Sequence, residues 1–299
     1  MKRLFYILLF ISCFSGAKGA IENAYIELKN DGIEIGTFDS NFFKNQQKEF
    51  FLYSELQPEK ISLILLGKEQ KTVLYYFHCM WGNFLPYRVH TQKKLNELSG
   101  VDEIVSVIWS ANELLYPVCW NRAVKKGEKI SSLFEALLSD SLKTNFILCH
   151  SMGHRIFEGL MSGMPPEKPL NIQSVIFAAA DLDTDVFSKN LRILKNSAAK
   201  IVIYMHRRDA LLAASQLILG RDRLGLHAHK YLDTFENQAD FEIIDITESK
   251  NGNLFSLTNH LYFKNHRGVF SDIQSLILND TSARAEHLTA LTSHFKKMN

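Results

Sequence analysis

The chain of 299 residues has little cysteine and, beyond its first 20 residues, no long apolar run. The absence of a second apolar run excludes a protein with several membrane-spanning helices. No two of the four cysteines have the spacing of a metal site, so the sequence does not indicate a cysteine-bound metal. Internal repeats, heptads and low-complexity linkers are also missing, which excludes a solenoid or a coiled coil and favours one globular domain.

A strong net charge is missing as well. The formal net charge is +2, from 34 basic and 32 acidic residues. Loss of residues 1–19 would remove three basic residues and no acidic one, which changes the net charge to −1. A surface this close to neutral argues against nucleic acid or an anionic membrane as the main partner.

The first 20 residues have the pattern of an export signal. Lys2 and Arg3 precede an apolar run at residues 4–14, and small residues follow. The run is too short to span a membrane, so we expect residues 1–19 to be a cleaved signal peptide. The mature protein would then be periplasmic or secreted, with no transmembrane span. Alternatively, Cys13 is a lipidated N-terminus, but the apolar run before it is short for that role, which favours simple cleavage.

From about residue 70 onwards, short apolar runs alternate with segments of helical pattern. This alternation is typical of a parallel sheet that is covered on both faces. We therefore predict an α/β fold, with a mostly parallel central sheet and helices on both faces, in one domain over residues 20–280. Residues 281–299 are predicted to be a C-terminal tail, with a weak helix or no order. The apolar runs are Val73–Phe77, Ile104–Trp109, Phe146–Cys149, Ser174–Ala179, Lys200–Met205 and Phe241–Asp245.

One segment carries the strongest functional indication. The apolar residues 146–149 lead into Ser151, and a helical pattern follows directly. A serine on a sharp strand-to-helix turn exposes its Oγ above the sheet, and the helix N-terminus behind it stabilises an oxyanion. Such turns usually have glycine two residues before and two residues after the serine. Here Gly153 is present, and Cys149 replaces the first glycine with another small residue. We therefore predict that Ser151 is the nucleophile of a serine hydrolase.

A serine nucleophile needs a base, and the chain order of nucleophile, acid and histidine places that base after the last strand. His260 follows the run Phe241–Asp245 and precedes the last clear helical pattern. We therefore predict that His260 is the base, with His266 as a near alternative. His227 and His229 come before that strand and fit less well.

The base in turn needs an acid that orients it. Asp209 follows the run that ends at Met205 and precedes a helical pattern, which is the position expected of the acid. In a purely structural interpretation, Asp209 is only the N-cap of that helix, a common role for aspartate. Asp181 and Asp183 follow the preceding strand and are the alternatives. We favour Asp209 over Asp181.

The oxyanion needs two backbone N–H donors. Met152, directly after the nucleophile, is predicted to supply one of them. The loop after Val73–Phe77 is predicted to supply the other, from Met80 or, as second choice, from Cys79. Cys79 and Cys149 both occupy positions that are usually glycine, at the ends of strands expected to be neighbours. A Cys79–Cys149 disulfide is therefore a hypothesis, and two small buried thiols are the simpler interpretation.

Two further patterns have a structural explanation that competes with a functional one. His150 and His154 lie four residues apart, a spacing that zinc ligands use, but the turn at Ser151 directs them differently. We therefore predict no metal, and no cofactor. A group of aromatic residues lines an acyl pocket in the functional interpretation and forms core in the structural one. The group comprises Trp81, Phe84, Tyr87, Trp109, Tyr116 and Trp120.

Several short stretches are distinctive when they are taken together. They are H-S-M-G at 150–153, A-A-A-D-L-D-T-D-V-F at 178–187, I-Y-M-H-R-R-D-A-L at 203–211, R-L-G at 223–225 and N-H-L-Y-F at 259–263. In this combination they resemble a bacterial α/β-hydrolase family of unassigned substrate, with an esterase- or lipase-like character. The resemblance implies the α/β-hydrolase fold and a serine hydrolase with Ser151, an acid and His260.

These observations lead us to expect an exported esterase that cleaves a small ester or acyl substrate through an acyl-enzyme. An amidase or a thioesterase would use the same three residues, because specificity depends on variable loops. A non-catalytic binding protein on a hydrolase scaffold is the alternative from another class.

Overall fold

The computed structural model of the chain describes residues 22–28, 33–38, 48–52, 67–110, 116–165, 170–231, 240–249, 258–290 and 295–298. The predicted signal peptide at residues 1–19, with Cys13, lies outside the described residues. Within the described ranges, every helix is too short or too polar to cross a bilayer.

The strands in the described part of the chain form one sheet. They are β1 (Glu22–Leu28), β2 (Ile33–Phe38), β3 (Lys48–Leu52), β4 (Lys71–Phe77), β5 (Glu103–Trp109), β6 (Lys143–His150), β7 (Ile172–Ala178), β8 (Ile201–Met205), β9 (Phe241–Asp245), β10 (Leu288–Ala290) and β11 (Phe295–Met298). Their order across the sheet is β10-β11-β9-β8-β7-β6-β4-β5-β1-β2-β3. Neighbouring strands pair in parallel from β11 to β1, and the antiparallel pairs β1–β2, β2–β3 and β10–β11 lie toward the two edges. The predicted α/β fold with a mostly parallel sheet is therefore confirmed.

The central strands are apolar along most of their length, as expected for strands with helices on both sides. All seven residues of β5 are buried. In β4, Val73, Tyr75 and Phe77 pack in one apolar cluster, whereas Leu74 and Tyr76 pack in another. Because successive side chains of a strand point to opposite faces, the two clusters lie on opposite faces of the sheet. Each of the predicted apolar runs overlaps one of the strands β4 to β9.

The α-helices of the described residues cover both faces. They are α1 (Leu85–Leu95), α2 (Tyr116–Lys129), α3 (Ser131–Leu138), α4 (Gly153–Ser162), α5 (Thr184–Ser197), α6 (Ala210–Leu219), α7 (Leu224–His227), α8 (Tyr262–Asn265), α9 (Arg267–Ile277) and α10 (Thr281–His287). Leu133 of α3 and Ile156 of α4 belong to the cluster that contains Phe77. Leu95 of α1 and Ile273 of α9 belong to the other cluster, so each face of the sheet has its own set of helices.

Helices α2 and α4 touch through their backbones, at two glycines. A Cβ at Gly127 would lie 1.9 Å from Ile156 O, and a Cβ at Gly159 would lie 1.9 Å from Val124 O. Neither position accepts a larger residue unless one of the helices moves, because a carbon atom does not approach a carbonyl oxygen this closely. Since α4 begins two residues after Ser151, this contact fixes the helix behind the predicted nucleophile.

The C-terminal segment differs from the prediction of a tail. It contributes α10 and the last two strands, and β11 pairs in parallel with β9. Buried Arg284 donates to Asp272 and to Glu242, at 2.7 Å in each case, and Lys296 donates to Glu242 at 2.7 Å. Burial raises the pKa of Glu242, but the neighbouring cations outweigh burial and bring that pKa down to about 2. The segment is therefore held by buried ion pairs, and β11 has too few buried apolar residues for its pattern to predict a strand.

Candidate active site

Ser151 lies on a sharp turn between β6 and α4. Its φ angle is +54°, in the left-handed region that serine rarely adopts. A Cβ at Gly153 would lie 2.3 Å from Phe77 O, so α4 can begin this close to β4 only with glycine. Backbone strain of this kind costs about 1–3 kcal/mol and is concentrated at functional sites. The turn therefore has the strained strand-to-helix geometry that a nucleophile requires.

His260 and Asp209 meet side chain to side chain. The Nδ1–H of His260 donates to Oδ2 of Asp209 at 2.7 Å and to Oδ1 at 3.0 Å. Asp209 directly precedes α6 and also accepts the N–H groups of Leu211 and Leu212, each at 3.1 Å. The carboxylate is fully buried, and these backbone donors fix its position. Asp209 is therefore both the N-cap of α6 and the partner of the predicted base.

Two further hydrogen bonds tie the histidine loop to the aspartate loop. The N–H of Ala210 donates to Thr258 O at 3.0 Å. The side-chain amide of Asn259 donates to Arg208 O at 3.3 Å. Asn259 has a φ of +50°, a conformation that asparagine tolerates better than most residues. The imidazole of His260 is thus held against the carboxylate of Asp209 by hydrogen bonds between the two loops, in addition to its own hydrogen bond to that carboxylate.

His150, which the sequence indicates only as a zinc candidate, holds His260 near the turn. Its Nε2–H donates to His260 O at 3.1 Å, and the two ring centroids lie 5.0 Å apart. Its Nδ1 accepts the hydroxyl of Tyr87 at 3.3 Å. Burial lowers the pKa of His150 well below its ordinary value, so the ring is neutral and carries one proton. Because His150 directly precedes Ser151, these contacts hold the predicted base against the residue next to the predicted nucleophile.

His154 stabilises the other side of the turn. Its Nδ1–H donates to Ser151 O at 2.6 Å, and its ring packs on Phe177 with 4.9 Å between centroids. Burial lowers the pKa of His154 to about 3, so this ring is neutral too. His150 and His154 thus bond to different backbone carbonyls. The part of the chain that the structure describes contains no group of three or more side chains arranged for a metal ion.

The alternative histidines lie elsewhere and make other contacts. His266 caps α9, because its Nδ1 accepts the N–H of Val269 at 3.2 Å. His227 ends α7 and His229 lies in the short turn after it, before β9 begins. Within the described residues, the histidine that bonds to the carboxylate after β8 is His260.

The alternative acids bind other groups. Asp181 accepts the hydroxyl of Ser215 at 2.6 Å and the hydroxyl of Tyr116, and it pairs with buried Arg223 at 3.7 Å. Asp183 is the N-cap of α5. Neither carboxylate bonds to the predicted base within the described residues, which favours the acid that follows β8.

His78 holds the loop after β4 in place. The N–H of Trp109 donates to Nε2 of His78 at 3.1 Å, and Nδ1–H of His78 donates to the carbonyl of Cys79. Burial lowers the pKa of His78 to about 3, so the ring is neutral and keeps both roles. The register of β4 and β6 places this loop beside the turn of the predicted nucleophile. Met80, the predicted second donor, begins the 3-10 turn Met80–Asn83.

The hypothesis of a Cys79–Cys149 disulfide is wrong, because both thiols are free and buried, as is Cys119. Cys149 packs in the cluster that contains Phe77, whereas the thiol of Cys79 bonds to Tyr87. Burial raises the pKa of both groups, so they are thiols rather than thiolates at neutral pH. Two small buried thiols therefore stand where glycines are usual.

Similarity to a described family supports the same architecture. The model of the family described as "Alpha/beta hydrolase of unknown function (DUF900)" matches residues 101–279. The chain belongs to this family. The match confirms the resemblance and the fold predicted from the sequence, and it includes Ser151, Asp209 and His260. Comparisons with curated proteins and with solved structures give no match.

In this α/β hydrolase, a cleft of about 710 Å³ lies beside the histidine loop. Trp81 is 46% exposed and Phe84 is 63% exposed, which is unusual for side chains of this size. These two and Tyr87 line the cleft, whereas Trp109 and Trp120 are buried in the core. The predicted aromatic group is therefore divided between cleft and core. The described residues that line the cleft are Trp81, Phe84, Tyr87, His90, Leu261, Lys264 and Asn265.

Proposed function

We propose that the protein is a serine hydrolase that cleaves a carboxylic ester through an acyl-enzyme. Ser151 is the nucleophile, His260 the base and Asp209 the acid that orients it. The observation that carries the proposal is the Asp209–His260 pair, joined at 2.7 Å and held beside the strained turn of Ser151. This combination is the arrangement that activates a serine in hydrolases.

The proposed reaction has two steps. In the first, Nε2 of His260 takes the proton of Ser151 while Oγ attacks the ester carbonyl carbon. The tetrahedral intermediate then collapses, the C–O bond to the alcohol breaks, and His260 gives its proton to the leaving alcohol. In the second step, His260 takes a proton from water, the resulting hydroxide attacks the acyl carbon, and Ser151 leaves with its proton restored. Asp209 keeps the proton of the resting imidazole on Nδ1, which leaves Nε2 unprotonated and able to act as base.

Backbone donors at the turn would hold the negative charge of each intermediate. Met152 N–H stands at the start of α4, where the helix dipole adds to the donor. Met80 N–H is the proposed second donor, in the loop that His78 holds. One donor of an oxyanion hole is worth about 10²–10³ in rate.

The test is covalent labelling with a fluorophosphonate, followed by mass spectrometry of the modified peptide. We expect the label on Ser151, and we expect Ser151→Ala and His260→Ala to abolish it. Ser162→Ala is the matched control, because Ser162 is a serine of the same α4 whose hydroxyl donates to Glu158 O. Folded wild-type protein that takes no label would contradict the proposal, and so would labelling that survives in His260→Ala.

A further inference from the structure

Lys264 is a buried cation without an acidic partner in the described residues. The residue is 6% exposed and lies in α8, at the lining of the cleft. Its Nζ donates to Thr91 Oγ1 at 2.9 Å and lies 3.9 Å from the ring centroid of Tyr87. No carboxylate of the described residues lies within 4.0 Å of this Nζ. A buried ammonium usually has a counter-ion, since removing a charge from water is costly.

The chain on both sides of the cleft lacks acidic residues. Residues 78–96, which include α1, contain Arg88, Lys93 and Lys94 and no aspartate or glutamate. Residues 258–271, which include α8, contain Lys264 and Arg267 and again no acidic residue. A cleft with walls of one sign of charge attracts ligands of the opposite sign. Within the described lining of the cleft, Lys264 carries a formal charge and no residue is acidic, which favours an anionic ligand.

The remaining described lining is mostly apolar and aromatic, with His90 and Asn265 as its polar members. Trp81 and Phe84 present large exposed rings at the cleft. Exposed aromatic side chains in a concave site are typical anchors for an apolar ligand body, with one polar group that fixes its orientation. The volume of about 710 Å³ lies within the range of small-molecule sites.

The cleft adjoins the proposed catalytic residues. Leu261 of its lining directly follows His260, and Tyr87 of its lining bonds to His150, which directly precedes Ser151. A ligand in the cleft would thus contact the residue that follows His260 and the tyrosine that holds His150.

We propose that the cleft binds one end of the substrate, and that this end has an apolar body with a carboxylate that pairs with Lys264. The identification of this ligand as the substrate rests on the proposed function, whereas the binding of the carboxylate does not. The substrate class is then an ester that carries a free carboxylate on an apolar group about the size of an aromatic ring. Burial lowers the pKa of Lys264 to about 8, and an anionic partner would stabilise the charged form.

Binding can be measured without turnover in Ser151→Ala protein. Isothermal titration calorimetry compares 2-naphthaleneacetate with 2-naphthaleneacetamide, which has the same shape and no charge. We expect the carboxylate to bind about tenfold more tightly or better, because the amide leaves Lys264 without a counter-ion. Equal affinities, or tighter binding of the amide, would overturn the inference, and this comparison needs no variant of Lys264.

Variants locate the effect. Lys264→Met keeps the apolar stem and removes the charge, so we expect it to lose about tenfold in affinity for the carboxylate and none for the amide. Lys264→Arg should retain the preference for the carboxylate. Lys189→Met is the matched control, because it removes an exposed cation of α5, outside both walls of the cleft. An equal loss for both ligands in folded Lys264→Met would contradict pairing with the carboxylate.

The two proposals fail in different ways. Labelling of Ser151 together with equal affinities for acid and amide would refute the anion-binding cleft and keep the hydrolase. Charge-selective binding without labelling of Ser151 would keep the cleft and refute the catalytic proposal.

Discussion

The two regions that meet at His260 are built in opposite ways. On one side, the turn of Ser151 and the carboxylate of Asp209 are buried and held largely by backbone atoms. On the other side, the cleft is open, and its shape depends on side chains such as Trp81 and Phe84. The family match includes the first region but begins at residue 101, after α1 of the cleft. The proposed chemistry thus depends on main-chain geometry. The proposed selectivity depends on side chains whose substitution leaves that main-chain geometry in place.

The largest expected effect separates the carboxylate's two roles. Asp209→Asn keeps an N-cap for α6 but lets the amide donate to Nδ1, which favours the wrong imidazole tautomer. We expect the rate of fluorophosphonate labelling to fall about 10⁴-fold, while the melting temperature changes little. Asp183→Asn, which alters the N-cap of α5, is the control and should label at the wild-type rate. A fall of less than tenfold in Asp209→Asn would contradict the proposed role of the acid.

The second effect concerns the helix behind the nucleophile. Gly159→Ala would place a methyl group 1.9 Å from Val124 O, so α2 and α4 must separate. We expect the free energy of unfolding in urea to fall by about 3 kcal/mol, with loss of labelling in the protein that remains folded. Gly220→Ala is the control, because its Cβ would meet nothing within 4 Å and its φ of +67° alone should cost about 1 kcal/mol. Similar losses in the two variants would show that the backbone contact does not matter.

The smallest effect on stability is expected in the cleft. Trp81→Ala should change the free energy of unfolding by less than about 0.5 kcal/mol, since the ring is already 46% exposed. The same variant should lower the affinity for 2-naphthaleneacetate about five- to tenfold, because the apolar body loses its aromatic anchor. Leu217→Ala, at an 86% exposed position of α6 outside the cleft, should leave that affinity unchanged. Unchanged binding in Trp81→Ala would remove Trp81 from the proposed site.

The same contrast explains what the sequence could and could not predict. The positions of Ser151, Asp209 and His260 in loops after strands could be predicted because each follows an apolar run, and because the order of such runs fixes which loops share one edge of a parallel sheet. The roles of His150 and His78 were not predictable, since they depend on contacts between distant segments. His150 reaches the carbonyl of a residue 110 positions away, and no local pattern encodes that bond.

Burial rather than pattern also accounts for the remaining differences. A cysteine pair at two glycine positions suggests a disulfide, but the direction of each thiol depends on how the strands pack, and both thiols are free. The two C-terminal strands are short, and the ion pairs of Lys296 in β11 and of Arg284 in the preceding α10 add to the pairing of β11 with β9. Lys264 looks like an ordinary surface lysine until α8 places it beneath the ring of Tyr87.

The place of β11 in the sheet has a consequence for how the protein is made. β11 lies beside β9, the strand that leads to the loop of His260, and comes from the last described residues of the chain. The N-terminal part of a chain leaves the ribosome first. The strands around Ser151 are therefore available for pairing well before residues 295–298 emerge. Until then β9 is an uncovered edge, whose free N–H and C=O groups can pair with a neighbouring nascent chain. Newly made protein therefore presents an unpaired strand edge beside the loop of His260 until residues 295–298 pair with it.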